Sequence, residues 1–162
     1  MQNIVCLDSQ IVIWGIKNQS SSGQVVMIER TREFLDQLDE KGIQVLIPTI
    51  VIAEILIPEP LDKQIKILNI ITEHFIVGDL TIPIAQKFAQ LFSENKDLRD
   101  LLKEQENLRK DKMKFDHIII ATALHYGASC IYSYDPHLKS FANNKIEIRE
   151  IPDIHKQSTL FS

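Results

Sequence analysis

The sequence predicts an α/β fold: a three-layer α/β/α sandwich around a mostly parallel central sheet. Short apolar, β-branched runs alternate along the chain with longer segments of helical periodicity. The connections between successive runs are helix-length crossovers rather than hairpin turns, which implies parallel strands covered on both faces. With 162 residues, 44% of them apolar, there is also enough material for one well-filled core. We expect one domain over residues 1–151 and a C-terminal tail over 152–162, where hydrophobic periodicity stops.

Ile4 to Leu7 is a short apolar strand ending at Asp8, and Ser9 to Lys17 reads as a helix or a tight extended turn. Ser20 to Gly23 breaks it. From Gln24 to Lys41, residues Val25, Met27, Ile28, Phe34, Leu35 and Leu38 recur at helical spacing, and Gly42 closes the helix. Ile43 to Ile47 is the second strand. Pro48 punctuates, Thr49 is the expected cap of a helix through Ile50, Val51, Ala53 and Leu56, and Pro58 and Pro60 stop it. A helix from Leu61 to Thr72 leads into a third strand, Phe75 to Val77. Thr81 is the N-cap candidate of the next helix, with Pro83 in the first turn, where no amide hydrogen is required. Ala85, Phe88, Ala89 and Phe92 form its buried stripe. Asp97 to Leu108 places Leu98, Leu101, Leu102 and Leu108 on one face, as a second helix or a continuation of the first.

The organising stretch is Lys114 to Asp135, KFDHIIIATALHYGASCIYSYD. Asp116 is expected to head an apolar helix, Gly127 to end it in the left-handed conformation, and Ser129 to Tyr132 to form a buried strand, with Asp135 just beyond. A short helical piece around Leu138 to Phe141 and a last strand, Ile146 to Ile151, follow. Helix N-termini and strand C-termini share one edge of an open parallel sheet, so Asp116 and Asp135 are aimed at one crevice. Asp8, after the first strand, and Glu54, one turn into the helix leaving the second, reach the same rim.

A formal charge of −4 argues against a surface that grips nucleic acid everywhere; any such contact must be local. No apolar stretch is long enough to cross a membrane, and the N-terminus lacks a secretory signal's charged start and small-residue cleavage site. The expected location is therefore cytoplasmic, with no membrane partner. Cys6 and Cys130 fall in predicted buried strands and read as inert core thiols.

Carboxylates about 5 Å apart repel by roughly 3 kcal/mol per pair at an effective dielectric near 20. A hard divalent cation with oxygen ligands, Mg²⁺ or Mn²⁺, is the usual way to offset this. Such an ion activates water, neutralises charge developing on phosphorus and stabilises the leaving oxygen, which suits phosphodiester hydrolysis. Taken singly, Asp8 and Asp116 also read as N-caps, and Asp135 before Pro136 as a turn opener. Glu54 has no such reading: it lies amid Ile50, Val51, Ile52, Ala53, Ile55, Leu56 and Ile57, so a cation or a basic side chain should face it. The metal reading requires the oxygens of all four acids in one pocket that Mg²⁺ or Mn²⁺ can enter from solvent, and acids that are scattered, or tied up by Arg and Lys partners, would end it.

The segments IVCLDSQIVIW, IPTIVIAEIL and FDHIIIATALHYGASCIYSYD together resemble the PIN domain family, the fold of many metal-dependent ribonucleases, including toxins of VapBC-type toxin–antitoxin pairs. The resemblance covers most of the chain. Its most specific part is the last: an acid, a helix with Ala-Thr-Ala-Leu, Gly-Ala, then a strand ending in Ser-x-Asp. It implies a catalytic and metal-binding set at Asp8, Glu54, Asp116 and Asp135, with Ser133 at a position where the family carries a hydroxyl. It also implies Mg²⁺ or Mn²⁺, RNA phosphodiester hydrolysis, an antitoxin protein as partner, and a homodimer. The chain departs from the family at Gln10, where Asn or another small polar residue is common, and at His137 and Leu138, where Asp and Phe are frequent.

The basic run Arg109 to Lys114 precedes Asp116. It reads either as a local guide for the RNA backbone, through Arg109, Lys110, Lys112 and Lys114, or as a solvated helix end whose charge complements the dipole. His137 reads as a polar turn residue and Trp14 as core. Two other functions compete with the ribonuclease. One is a catalytically silent PIN-like module acting through protein contacts, suggested by Gln10 and His137. The other is a phospho-acceptor receiver domain, which expects paired acids after the first strand and a lysine after the last; Ser9, Gln10 and the segment Ile151 to Asp153 do not supply them.

Overall fold

The computed structural model describes residues 3–153, so residues 154–162 of the expected tail lie outside the described residues. The strands are β1 (Ile4–Leu7), β2 (Gln44–Pro48), β3 (Ile76–Gly78), β4 (Cys130–Tyr132) and β5 (Glu147–Arg149). They form one sheet in the order β3-β2-β1-β4-β5, and every adjacent pair is parallel. Parallel neighbours need crossovers, which the helices provide: α1 (Ser9–Gly15), α2 (Val25–Glu40), α3 (Thr49–Leu56), α4 (Leu61–His74), α5 (Ile82–Glu94), α6 (Lys96–Glu106), α7 (Lys110–His125) and α8 (Pro136–Ala142). Strands covered on both faces need apolar residues at every position. Val5, Cys6 and Leu7 in β1 and Cys130, Ile131 and Tyr132 in β4 are all buried.

The chain builds outward from β1 through β2 to β3, then crosses back to lay β4 on the other side of β1. Connections leaving β1 and β4 therefore diverge, and a crevice opens beyond their carboxyl ends. Trp14 closes part of the core near it, buried edge-on against Tyr134 with ring centroids 5.3 Å apart. Cys6 and Cys130 are buried, unpaired thiols, and burial pushes both above the ordinary thiol range.

Three local features differ from expectation. Thr49 does not cap α3; it is the first helical residue after an extended Pro48, and its hydroxyl donates to the Gly78 carbonyl (3.3 Å), tying α3 to β3. The helix expected to begin at Asp116 begins at Lys110. Met113, His117 and Ile120 share one buried face of it, and the polar pair Asp116-His117 interrupts the apolar stripe that would otherwise mark the earlier start. The basic run thus occupies the first turns, where positive charge opposes the helix dipole instead of complementing it; Asp111, also in the first turn, supplies the favourable charge there. Finally, β5 stops at Arg149, and the Ile151 amide donates to the Tyr134 hydroxyl (3.1 Å) instead of extending the ladder.

Gly78, the last residue of β3, lies tightly against α7. A Cβ there would lie 2.7 Å from Thr122 Cγ2 and 3.1 Å from Leu46 Cδ1. Thr122 has little freedom to yield, because it is buried and its hydroxyl donates to the Ile118 carbonyl at 2.7 Å. Gly78→Ala is expected to destabilise the fold by about 1–3 kcal/mol. Urea unfolding checks this, and an unchanged midpoint would mean that the contact relaxes freely.

Candidate active site

The site starts from the two central strands. The Asp8 amide donates to the Tyr132 carbonyl (3.1 Å), which carries the β1–β4 ladder one residue past Leu7 and sets Asp8 beside Ser133. The Ser133 hydroxyl donates to Asp8 Oδ2 (2.6 Å) and accepts the Asp135 amide (3.0 Å). Asp8 also caps α1, accepting the Ser9 amide at 2.7 Å, and Asp135 caps α8, accepting the His137 amide at 2.9 Å. The capping and site readings of these two acids are therefore compatible.

Helices supply the rest. Glu54, on α3, accepts from the Ser9 hydroxyl at 2.9 Å. From α7, Lys112 Nζ donates to Asp116 Oδ1 and to Asp135 Oδ2, each at 2.6 Å. Glu54, Ser9, Asp8, Ser133, Asp135, Lys112 and Asp116 thus form one continuous chain of contacts. Neighbouring His117 fixes the turn that carries Asp116. Its Nδ1 lies 2.6 Å from the Met113 carbonyl and so donates to it, leaving Nε2 to accept from Asn95 Nδ2 at 3.0 Å. Phe92 and Phe141 flank the imidazole, and burial lowers its affinity for a proton.

Most of the network opens into a cleft of about 460 Å³ lined by Asp8, Ser9, Gln10, Glu54, Lys112 and Asp135, with Trp14, Met27 and Tyr134 as its apolar wall. Asp116 lies deeper, 2% exposed, and is reached through Lys112. Burial pushes its carboxyl up to about 7 in spite of the lysine. Burial likewise raises Asp8 and Glu54, and the hydrogen bonds from Ser133 and Ser9 offset this only in part. At Asp135 the balance reverses: burial is outweighed by the hydrogen bond and charge of Lys112, which hold the carboxyl below its ordinary value. Burial alone would also lower Lys112, but Asp116 and Asp135 together keep its ammonium charged far into the alkaline range.

The four acids and Ser133 therefore converge, whereas the basic run divides. Lys112 turns inward as a counter-ion. Lys110 and Lys114 are exposed, and each projects about 200° around the helix from Lys112. Arg109 stays at the mouth of an adjoining cleft with Glu54, Lys112 and Phe115, and pairs with Asp111 at 2.7 Å. Sequence reasoning did not find Ser9 as the partner of Glu54, although a hydroxyl directly after the first acid is a usable signal. It also placed His137 in a turn. His137 lies in α8, where its ring pairs with Glu106 and ties the start of that helix to the end of α6.

Ser133→Ala would leave Asp8 Oδ2 and the Asp135 amide without their shared partner. A stability loss of about 1–2 kcal/mol is expected in urea unfolding. No loss would show that water substitutes freely for the hydroxyl.

Among the described residues, no group of three or more His, Cys, Asp or Glu side chains is disposed to hold a metal ion as it stands. The Lys112 ammonium bridges Asp116 and Asp135. The donor set is nevertheless made of hard oxygens, and Asp116 Oδ2 is buried with no hydrogen-bond partner. An ionised oxygen in that condition is costly, and a cation is what would satisfy it. The residues fit such an ion in chemistry and charge.

The sequence matches the family model described as PIN domain over residues 5–144. Similar solved structures include VapBC2 from Rickettsia felis bound to a DNA fragment from their promoter, with TM-score 0.63, 16% identity, and coverage of 92% of this chain and 99% of that one. DNA-bound VapBC from Salmonella typhimurium has TM-score 0.61 and 16% identity, covering 94% of this chain and 100% of that one. For VapBC-1 from nontypeable Haemophilus influenzae the values are 0.58 and 15%, with coverage of 91% and 97%. At such identities the likeness is one of fold. No curated protein matches the sequence.

Proposed function

The chain belongs to the PIN domain family, and on that premise we propose that it is a ribonuclease using Mg²⁺ or Mn²⁺ to hydrolyse RNA phosphodiester bonds, the toxin of a toxin–antitoxin pair. One observation carries this reading: three carboxylates line one cleft, and a fourth, Asp116, is joined to them through Lys112 and keeps a buried oxygen with no partner. Asp8, Glu54, Asp116 and Asp135 would hold the ion. When bound, a divalent ion supplies activation of water and neutralisation of charge at the scissile phosphate.

The chain's own residues prepare that chemistry. Ser133 fixes the Asp8 carboxylate through Oδ2, and the Ser9 hydroxyl orients Glu54 through Oε2. Glu54, raised by burial, is suited to accept a proton at Oε1 from an attacking water. Arg109, which lines the adjoining cleft, would take a phosphate, and Lys110 and Lys114 act on the strand at longer range from the far side of α7. The VapBC structures, in each of which this chain covers nearly the whole of the matched chain, support an antitoxin protein as partner, and a homodimer is the working form expected of the family. No helix among the described residues is long and apolar enough to cross a membrane, which accords with a cytoplasmic enzyme formed by residues 1–151.

Purified protein should cleave RNA with Mn²⁺ or Mg²⁺ and stop when EDTA is added. If cleavage is absent and calorimetry finds no metal binding, the ribonuclease reading ends and the catalytically silent module replaces it.

A further inference from the structure

Three of the four carboxylates, Asp8, Glu54 and Asp135, line the cleft with one ammonium, Lys112, and Asp116 lies behind it, bonded to that ammonium. Lys112 Nζ lies 2.6 Å from Asp116 Oδ1 and 2.6 Å from Asp135 Oδ2. Those acids belong to different elements, Asp116 to α7 and Asp135 to the end of the β4–α8 connection. Lys112 is thus the bridge between two segments that each carry one of the acids that would hold the ion. The bridge is incomplete, because the second oxygen of Asp116 is left buried and unpaired.

Two features make the lysine removable. Its side chain is 44% exposed, so its ammonium can return to water while α7 stays in place. The stem is flexible and unbranched, and the adjoining cleft, which Lys112 itself lines with Glu106, Arg109, Asp111 and Phe115, gives it room to move into and carboxylates to move toward. A single charge also offsets less repulsion among four carboxylates than a double charge at the same place.

We propose that Lys112 is a metal-affinity residue: it holds the place of the divalent cation between Asp116 and Asp135, and is expelled toward the cleft mouth beside Arg109 when that cation enters. This rests on the metal-dependent reading above. Metal binding is then an exchange of cations, and the site loads only when the divalent ion outcompetes an ammonium already bonded to two carboxylates.

The test is a calorimetric titration of Mn²⁺ into the full-length protein and into Lys112→Met at pH 8, together with a Mg²⁺ titration of lysine-labelled wild-type protein followed by NMR at the Lys112 Cε–Nζ group. We expect Lys112→Met to bind Mn²⁺ at least about tenfold more tightly than the wild type. We also expect the Lys112 signal to move from a bridged toward a free ammonium as Mg²⁺ saturates the site. The NMR arm needs no variant, so it decides the matter even if Lys112→Met folds poorly. If wild type binds metal while Lys112→Met binds no more tightly and the Lys112 signal stays put, the exchange is refuted and the metal site stands. If neither protein binds either metal, the metal-dependent reading fails and takes the exchange with it.

Discussion

Asp116→Asn is expected to lower RNA cleavage by about 10³-fold or more while making the metal-free protein more stable above neutral pH. The carboxyl of Asp116 titrates at about 7 in the folded chain, raised chiefly by burial from an ordinary 3.8. The folded state therefore holds its proton more tightly than the unfolded state does. Stability is lost as pH rises from about 4 to 7, and the loss is complete above that range. A displacement of this size corresponds to at most about 4 kcal/mol. Asparagine has the same shape and no ionisation, so the variant escapes the penalty. Urea unfolding in EDTA should give curves for wild type and Asp116→Asn that nearly coincide at pH 4 and separate by about 2–4 kcal/mol at pH 8. If the variant instead loses stability and activity together, Asp116 is a structural residue.

A divalent metal is expected to reverse that pH trend. At about 100 times its dissociation constant, a ligand bound only by the native state stabilises it by about 2.7 kcal/mol. For a chain of this length that is a rise of roughly 5–10 °C in Tm. The gain should be present at pH 8 and absent at pH 5. At the lower pH Asp116 keeps its proton, and Asp8 and Glu54, also raised by burial, are shifted toward keeping theirs. Thermal unfolding with and without Mn²⁺ at the two pH values is the measurement. Equal stabilisation at both would place the metal somewhere other than these acids, and none at pH 8 would mean that the native state binds no metal.

How much of this was legible in the sequence depended on whether a residue's role was set locally. Asp8 and Asp135 follow short apolar runs that can only be buried strands, so their place on the rim could be read directly. Glu54 could be read because a charge inside an all-apolar helix has no local use. Asp116 was found but misplaced on its helix. His117 broke the apolar stripe, and its partners are a main-chain carbonyl and an asparagine distant in sequence, which no periodicity reveals. Lys112 suffered from the same error. Only with the helix starting at Lys110 does the four-residue spacing put the ammonium on the face of Asp116, as its counter-ion. Thr49 misled for a similar reason, since the hydroxyl that suits a cap found the Gly78 carbonyl across the sheet.

The two outermost strands, β3 and β5, are only three residues long. On β5, Glu147 and Arg149 are exposed and bonded to each other at 2.6 Å, so its open side carries charge. Short, charged borders make poor templates for strand addition, and the sheet resists growing by recruiting another chain. Association with a second copy or with an inhibitor is thereby directed to the helical flanks, and the unpaired main-chain groups at the borders stay with solvent.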